Sequence, residues 1–348
     1  MGSLKIRDGS LMGCAAFVIL VAGMKAAAVL VIPFFLAVFL AIICAPPLFW
    51  MKRKGVPSSV GILILMLGGI VIQIILVTLI SSSIADFSRN LPFYQDRLIS
   101  LIHDSLQLLS RYGIDVEADK LTEMFNPSRI FKLVANTLNS LGGVLTNTFF
   151  VFLTIIFILS EAAGFPNKLR ALSRDKDADL GKYSEIIAGV NRYLGIKTLT
   201  SFATGVVISF WLMFQGVDFP VMWGVFAFLF NYIPNIGCII AAAPAVLLAL
   251  VQLGPVPASL AGLGFLIVNI SIGSVIEPRI MGQETGLSVL VVFLSLAFWG
   301  WVLGPVGMLL SVPLTMAVKI ALGGRTSTRW LSILLGSNKE AANSLEEK

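Results

Sequence analysis

Charged residues are scarce in this sequence, and so are the residue types on which most enzymes depend. Of its 348 residues only 13% are charged, and there is a single histidine. There is no HExxH motif, no intramembrane pair of aspartates, no Gly-x-Ser-x-Gly with a histidine inside the membrane, and no glycine-rich phosphate loop with lysine. We therefore predict a protein that is not an enzyme, has no cofactor and binds no metal.

Cysteine is also rare, and the net charge is small. Cys14, Cys44 and Cys238 all lie in apolar segments without a pairing pattern or metal-ligand spacing, so they are predicted to be small buried hydrophobic residues. The formal net charge of +6 gives no support to nucleic-acid binding. In a chain of this kind the distribution of Lys and Arg among loops is more informative, because it sets the orientation in a membrane.

Apolar residues, by contrast, fill most of the chain. Hydrophobic residues make up 57% of it and the mean hydropathy is +0.92. Apolar runs of about 20 residues, long enough to cross ~30 Å of hydrocarbon, recur from end to end. The run at 60–80 is continuously apolar, which excludes the alternating strands of a β-barrel. The predicted fold class is an all-α, polytopic helical bundle in a lipid bilayer.

The distribution of basic residues predicts the topology. Residues 10–49 hold two spans that meet near Lys25, and the first of them is favoured over a cleaved signal peptide. The basic cluster at 52–54 is predicted to be cytoplasmic. The whole chain is predicted to comprise five regions: N-terminal transmembrane helices (1–80), an extracytoplasmic helical region (81–140), a fourth span with a basic cytoplasmic segment (141–197), a transport unit (198–322) and a cytoplasmic tail (323–348).

The extracytoplasmic region is predicted to form helices of its own. Five residues share one face of the first helix at helical spacing. The single histidine, His103, is expected on its polar face. The five are Leu98, Leu101, Ile102, Ser105 and Leu109.

Two apolar runs in the transport unit are too long for one span and too short for two. The run 221–251 is interrupted by proline and glycine at its centre, and the run 287–322 is interrupted at "WGWVLGPVG". Arms of about 14 residues predict re-entrant hairpins, since a full crossing needs about 20 residues. The two hairpins enter from opposite faces, which predicts an inverted C-terminal repeat with a solute site near the bilayer midplane.

The interruptions supply the candidate substrate-binding residues. Proline and glycine free backbone groups where they break a helix, and asparagine and tyrosine supply polar side chains for a solute. The alternative is that the asparagines cap helix ends and bond to a neighbouring helix. The candidates are Asn231, Tyr232, Pro234, Asn235, Gly237, Asn269, Gly304, Pro305 and Gly307.

Two ionisable residues end the span before the second hairpin. Glu277 and Arg279 lie at or near the membrane, where ionisable residues mark ion pathways by default. One interpretation makes Glu277 and Arg279 ion-coupling residues of the transport site, with a proton carried by Glu277. The other makes the two residues an interfacial ion pair that is neutralised or reaches the headgroups.

Three motifs occur in order along the chain and carry a resemblance. They are the Pro-Asn-x-Gly of "NYIPNIG", the Glu-Pro-Arg-x-Met-Gly of "IEPRIMG" and the Gly-Pro-x-Gly of "GPVG". With "NLPFYQ" and "RYGIDVEADKL" they make nearly the whole chain similar to the autoinducer-2 exporter (AI-2E) family of bacterial inner-membrane transporters, above all to its quorum-sensing signal subgroup.

The resemblance implies a function and an assembly. It implies export of autoinducer-2, a small polyhydroxylated furanone-derived signal, through seven or eight spans with both termini cytoplasmic. It also implies a homo-oligomer, with a pentamer as the expected form. Similar proteins resemble cation/proton exchangers, so a sodium or potassium/proton antiporter is the alternative within transport. A non-transporting membrane scaffold or receptor is the alternative from another class.

Overall fold

The computed structural model describes residues 3–111, 148–162, 178–234, 236–281, 287–323 and 328–336. Over these residues the chain is helical, as predicted, and extended backbone pairs at an isolated antiparallel bridge between Leu287 and Gly336. The elements in chain order are α1 (Ser3–Ala26), α2 (Ala28–Arg53), α3 (Ser58–Arg111), α4 (Thr148–Ala162), α5 (Ala178–Gln215), α6 (Pro220–Phe230), α7 (Gly237–Leu253), α8 (Pro255–Val268), a π-helical segment (Asn269–Ile276), α9 (Glu277–Met281), α10 (Val289–Gly323) and α11 (Arg329–Leu335).

Several of these helices have the length and composition of membrane spans. In the part of the chain that the structure describes there are five, at Ala28–Arg53, Ser58–Asp104, Gly189–Gln215, Pro255–Ile280 and Val289–Gly323. Many of their large apolar side chains face outward, such as Ile72, Phe210 and Leu290. Outward apolar side chains of this kind suit a hydrocarbon solvent.

The chain forms two compact units. The first comprises Met1–Leu65, Phe149–Ile196 and Met281–Lys348, and the second comprises Met66–Thr148 and Lys197–Ile280. Helices α3 and α5 contribute residues to both units.

In the first unit, α10 folds back on itself at Gly304. This glycine has φ 66° and ψ −151°, which a helix cannot accommodate and which side chains with a Cβ rarely adopt. The indole Nε1 of Trp299 donates to Thr315 Oγ1 at 3.0 Å although the two residues are sixteen positions apart. A straight helix would separate them by about 24 Å. The predicted interruption at Gly304 and Pro305 is therefore present as a turn between two antiparallel arms.

The turn at Gly304 lies beside the corner between α1 and α2. Val21 of α1 packs with Val302 and Leu303, and Met24 and Val31 border the same apolar cluster. Lys25 Nζ lies 3.8 Å from the ring centroid of Trp301. The two arms of α10 thus run along α2 as far as its N-terminal end.

In the second unit, α3 continues as one helix beyond its apolar part. The predicted boundary near residue 80, between a span and a separate extracytoplasmic helix, is absent. Helix α3 has 54 residues and includes Pro92 in its interior. Leu98 and Ile102 pack on the core of this unit, as their spacing predicted, and His103 is exposed. The side chains of Ser105 and Leu109 lie outside the described set.

Helices α6 and α7 of the second unit form a hairpin against α5. Gly224 of α6 lies against Gly205 and Ser209 of α5. Between the arms, a methyl group on Gly237 would overlap the carbonyl oxygen of Phe230, so glycine is needed for this sharp turn. We call residues 231–234 and 236 the tip of the hairpin. We call residues 216–219, together with Gln252 at the end of α7, its root.

The tip does not lie where the sequence predicted. Asn231 contacts Ser201 and Tyr232 contacts Thr198, at the beginning of the uncharged stretch of α5 that runs to residue 215. The prediction of a turn level with the middle of that stretch is therefore wrong. Residues 216–219 and the tip add their length to that of α6. This arm of the hairpin therefore covers most of the ~29 Å along α5 between Lys197 and Gly216.

Candidate functional site

A buried cluster of polar side chains lies where the tip of the hairpin meets α5. The amide Nδ2 of Asn231 donates to Ser201 Oγ at 3.0 Å, and the hydroxyl of Tyr232 donates to Thr198 Oγ1 at 2.8 Å. Asn231 is 8% exposed and Tyr232 is 6% exposed. Both predicted substrate-binding side chains therefore lie in a dry environment and are held by hydroxyl groups of one helix.

An ion pair completes the cluster. Lys197 Nζ of α5 lies 2.7 Å and 2.9 Å from the two carboxylate oxygens of Glu277. The side chains are 7% and 13% exposed, respectively. Thr200 donates to Glu277 Oε2 at 3.3 Å and to the backbone carbonyl of Lys197 at 3.1 Å. The carboxylate thus accepts bonds from an ammonium group and a hydroxyl group at once.

The spacing of residues on α5 explains why these groups come together. Lys197, Thr200, Ser201 and Thr204 stand at i, i+3, i+4 and i+7, so they share one face of the helix. The opposite face carries Leu199 and Phe202, which are 64% and 62% exposed. This arrangement turns the polar stripe inward and leaves apolar side chains toward lipid.

A π-helical segment precedes Glu277. It spans Asn269–Ile276, eight residues whose turns are wider than those of an α-helix. Such segments are frequent at functional sites. Here the segment sets the direction in which Glu277 leaves the helix, because each wider turn changes the rotation of the residues that follow.

The cluster is closed by its own hydrogen bonds. Thr204 donates to the carbonyl of Thr200, and the other members bond to one another as described. Among the described residues, every deeply buried side-chain nitrogen or oxygen has a partner. A polar ligand can therefore bind here only by replacing bonds that the protein makes with itself.

The predicted site residues fall into three groups. Asn231 and Tyr232 belong to the cluster, and Pro234 and Gly237 form the turn beside them. Asn269 is half-buried and begins the π-helical segment, with its Oδ1 toward Gly273. Asn235 lies outside the described residues. Gly304, Pro305 and Gly307 belong to the first unit, and their role in binding stays a prediction.

The predicted partnership of Glu277 with Arg279 is wrong. Arg279 is exposed, and the carboxylate is paired with Lys197 instead. Residues two positions apart on a helix point to different sides, so Glu277 and Arg279 cannot both face the cluster. The ion-coupling role of Arg279 stays a prediction.

Lys197 and its hydroxyl-bearing neighbours were not among the predicted site residues. Lys197 ends the region 141–197, whose excess of basic residues predicts a cytoplasmic segment. The available signal was the run "KTLTSFAT", which repeats polar residues at i, i+3, i+4 and i+7. Such a stripe in an otherwise apolar helix indicates a face turned toward protein.

An apolar groove of about 710 Å³ lies in the first unit, away from the predicted residues. Its walls come mainly from α2 and α4, with aromatic side chains such as Phe49 and Phe157. Its polar lining consists of Thr154, Glu161 and Asn191. With so few polar groups, the groove is less suited to a hydroxylated solute than the cluster on α5.

Comparison with known proteins identifies the family. The AI-2E family transporter profile matches residues 14–324, which is most of the chain. The chain belongs to the AI-2E transporter family. Members of this family are transporters, so the prediction that the protein is not an enzyme is confirmed, and the scaffold or receptor alternative is set aside.

Individual relatives are similar over almost their full length. A putative transport protein of Haemophilus influenzae is 40% identical over 333 residues, covering 94% of this chain and 96% of that protein. The AI-2 transport protein TqsA of Escherichia coli is 39% identical over 326 residues, covering 93% and 94%. The putative transport protein YhhT of Escherichia coli is 34% identical over 329 residues, covering 94% of each.

Proposed function

We propose that this AI-2E transporter exports autoinducer-2, or a small solute of the same polyhydroxylated kind, across the bacterial inner membrane as a secondary transporter. The observation that carries the proposal is the closed cluster of hydroxyl, amide and paired charged groups on α5 and the hairpin tip. The similarity to TqsA, which is named as an AI-2 transport protein, supports the choice of solute.

The chemistry of the cluster suits a polyol. A hydroxyl group both donates and accepts, as do Thr198, Ser201 and the Tyr232 hydroxyl. A solute with several hydroxyls can therefore replace the Asn231–Ser201 and Tyr232–Thr198 bonds one for one. Leaving either pair unsatisfied in this buried site would cost about 1–3 kcal/mol, so an apolar solute is disfavoured.

The charges of the cluster favour an uncharged or weakly charged solute. Lys197 and Glu277 neutralise each other, so the cluster presents no net charge. A sodium or potassium ion would require several oxygen ligands, carboxylates among them, and Glu277 already accepts from Lys197 and Thr200. Among the described residues there is no group of three or more His, Cys, Asp or Glu side chains that could hold a metal ion. These features favour solute export over cation exchange.

Proton coupling through Glu277 belongs to the same proposal. In this proposal the Glu277 carboxylate takes a proton in place of Lys197 when the ion pair opens during transport. We expect the double variant Lys197→Met/Glu277→Gln, which leaves no unpaired buried charge, to lose the pH dependence of transport. An unchanged rate and an unchanged pH profile in this variant would remove Glu277 from coupling.

Reconstitution tests the function directly. Purified protein in proteoliposomes is expected to move labelled autoinducer-2 and to leave sodium and potassium unmoved under the same gradients. Movement of cations without autoinducer-2 would replace the proposal with the antiporter. The matched variant pair is Asn231→Ala in the cluster and Gln107→Ala, which is exposed on α3 and is expected to transport normally.

The orientation of the transporter in the membrane and its assembly are proposed from the basic residues and the family resemblance, respectively. Lys52, Arg53 and Lys54 at the end of α2 favour a cytoplasmic location for that end, so both termini would be cytoplasmic. The resemblance supports a homo-oligomer, with five copies as the expected number. Native mass spectrometry of the purified protein would give the number of copies, and a monomer would contradict the assembly.

A further inference from the structure

The part of α3 that follows its apolar span carries a regular buried stripe. Ile80, Phe87 and Tyr94 are each 1% exposed and stand seven residues apart, and Leu98 continues the stripe at 8%. Residues at this spacing share one face of a helix. They pack on the core that also contains Trp223 and Phe226 of the hairpin arm α6.

Tyr94 is the polar member of this stripe, and its hydroxyl has a specific partner. It donates to Asp218 Oδ2 at 2.8 Å, across 124 residues of sequence. The ring of Tyr94 stacks on Phe87 with centroids 5.7 Å apart. A phenylalanine would fill the same apolar space, so the hydroxyl is the feature that packing does not account for.

Asp218 in turn connects the parts of the hairpin root. Its backbone N–H donates to the side chain of Gln252 at the end of α7, at 3.0 Å. Its carbonyl oxygen accepts from Trp223 Nε1 of α6, at 3.1 Å. The next residue, Phe219, has φ 58°, a conformation that a side chain of this size adopts only when its surroundings hold it there. The root is therefore fixed from three sides.

We propose that Tyr94 and Asp218 are positioning residues for transport, which set where the hairpin tip meets α5. Neither belongs to the polar cluster, because Asp218 lies at the Gly216 end of α5 and the cluster lies about 29 Å away at the Lys197 end. Helix α6 connects them directly: its first residues are fixed by Asp218 and its last precede Asn231. A root that shifts or rocks would move Asn231 and Tyr232 out of register with Ser201 and Thr198.

The inference rests on the proposed function only in its choice of solute. Tyr94→Phe and Asp218→Ala in the full-length protein are each expected to reduce the maximal rate of autoinducer-2 transport at least fivefold, with KM within twofold of wild type. Asp218→Asn keeps an oxygen that can accept from Tyr94, so it is expected to restore most of the rate. The combined Tyr94→Phe/Asp218→Ala variant should be no slower than either single variant, because both remove the same bond.

Asp86→Asn is the matched control. Asp86 lies on the same helix and pairs with Arg89, but both side chains are more than half exposed. This variant is expected to transport at the wild-type rate. Equal slowing by Asp86→Asn and Asp218→Ala would indicate a general loss of charge on α3 and the root, and would overturn the proposal.

Hydrogen exchange gives a readout that does not depend on the solute. In Tyr94→Phe, amide exchange is expected to rise at least tenfold in the root and in the tip, with no change along α2. Unchanged exchange at the tip would sink the inference even if transport were slower. If the wild-type protein moved no autoinducer-2 but the tip still loosened in Tyr94→Phe, the proposed solute would fail and the positioning role would stand.

Discussion

Lys197 and Glu277 hold opposite charges in a part of the protein from which water is largely excluded. Removing one partner leaves the other as an uncompensated buried charge, whereas replacing both with neutral side chains leaves no buried charge. Loss of a hydroxyl group beside the pair is expected to cost less stability, because each neutral hydrogen bond contributes only about 1 kcal/mol net. The ion pair therefore decides how far single substitutions in the cluster can be tolerated.

Lys197→Met is expected to lower the free energy of unfolding by about 3–5 kcal/mol, because it strands the Glu277 carboxylate. The double variant Lys197→Met/Glu277→Gln is expected to lie within ~1–2 kcal/mol of wild type, since no unpaired charge is left. Unfolding in detergent micelles measures both values. Arg279→Met, at an exposed position, is the control and should change stability by less than about 0.5 kcal/mol. A double variant as unstable as Lys197→Met would contradict this account.

The two helix turns depend on close approach between backbone segments. At Gly237 a methyl group would overlap the carbonyl oxygen of Phe230, and at Gly307 it would overlap that of Trp299. Both overlaps are with backbone atoms, which cannot move aside as a flexible side chain can. The two turns therefore require glycine at these positions, and the arms on either side supply the apolar packing.

Gly237→Ala and Gly307→Ala are each expected to destabilise the protein by roughly 1–3 kcal/mol, because the added methyl group overpacks the turn. Gly68, in the interior of α3, has open space around it, so Gly68→Ala should be neutral or stabilise by up to about 1 kcal/mol through helix propensity. Thermal unfolding in detergent ranks the three variants. Equal midpoints for Gly68→Ala and Gly237→Ala would show that the turn tolerates a side chain.

Proline and glycine made the turns predictable from sequence, because they act on the local backbone. The Lys197–Glu277 pair was not predictable, since it joins residues 80 positions apart and depends on how α8 and the π-helical segment place the carboxylate. The continuity of α3 was also missed. The span was predicted to end near residue 80, but the hydroxyls of Ser82 and Ser83 donate to the carbonyl of Leu79 and leave the helix intact.

Helix α3 is long enough to determine the arrangement of the molecule across a membrane. Its 54 residues extend about 81 Å, against ~30 Å of hydrocarbon. Its first residues follow the basic cluster at 52–54, so we expect its C-terminal half to lie beyond the opposite surface. The root of the hairpin packs on that half through Tyr94, so the same expectation holds for the root.

Cysteine labelling tests this arrangement. In a variant without the native cysteines, Asp104→Cys is expected to react with an impermeant maleimide on intact spheroplasts, because about 69 Å of helix separates it from Ser58. Lys54→Cys is expected to react only after lysis, because the basic cluster favours the cytoplasm. Both side chains are exposed, so accessibility to the reagent is comparable. The reverse pattern would invert the proposed orientation.

The π-helical segment makes the chain intolerant of length changes at one place. Each of its turns holds more than the usual 3.6 residues, so the direction in which Glu277 leaves the segment depends on how many residues the segment holds. If the wide turns persist, loss of a single residue would rotate everything after it by the turn of one residue, somewhat less than the roughly 100° of an α-helix. We expect deletion of Ser274 to carry Glu277 away from Lys197 and to destabilise the protein as much as Lys197→Met does, which the same unfolding measurement would detect. The number of residues between Val268 and Glu277 therefore matters to the site as much as the side chains in it do.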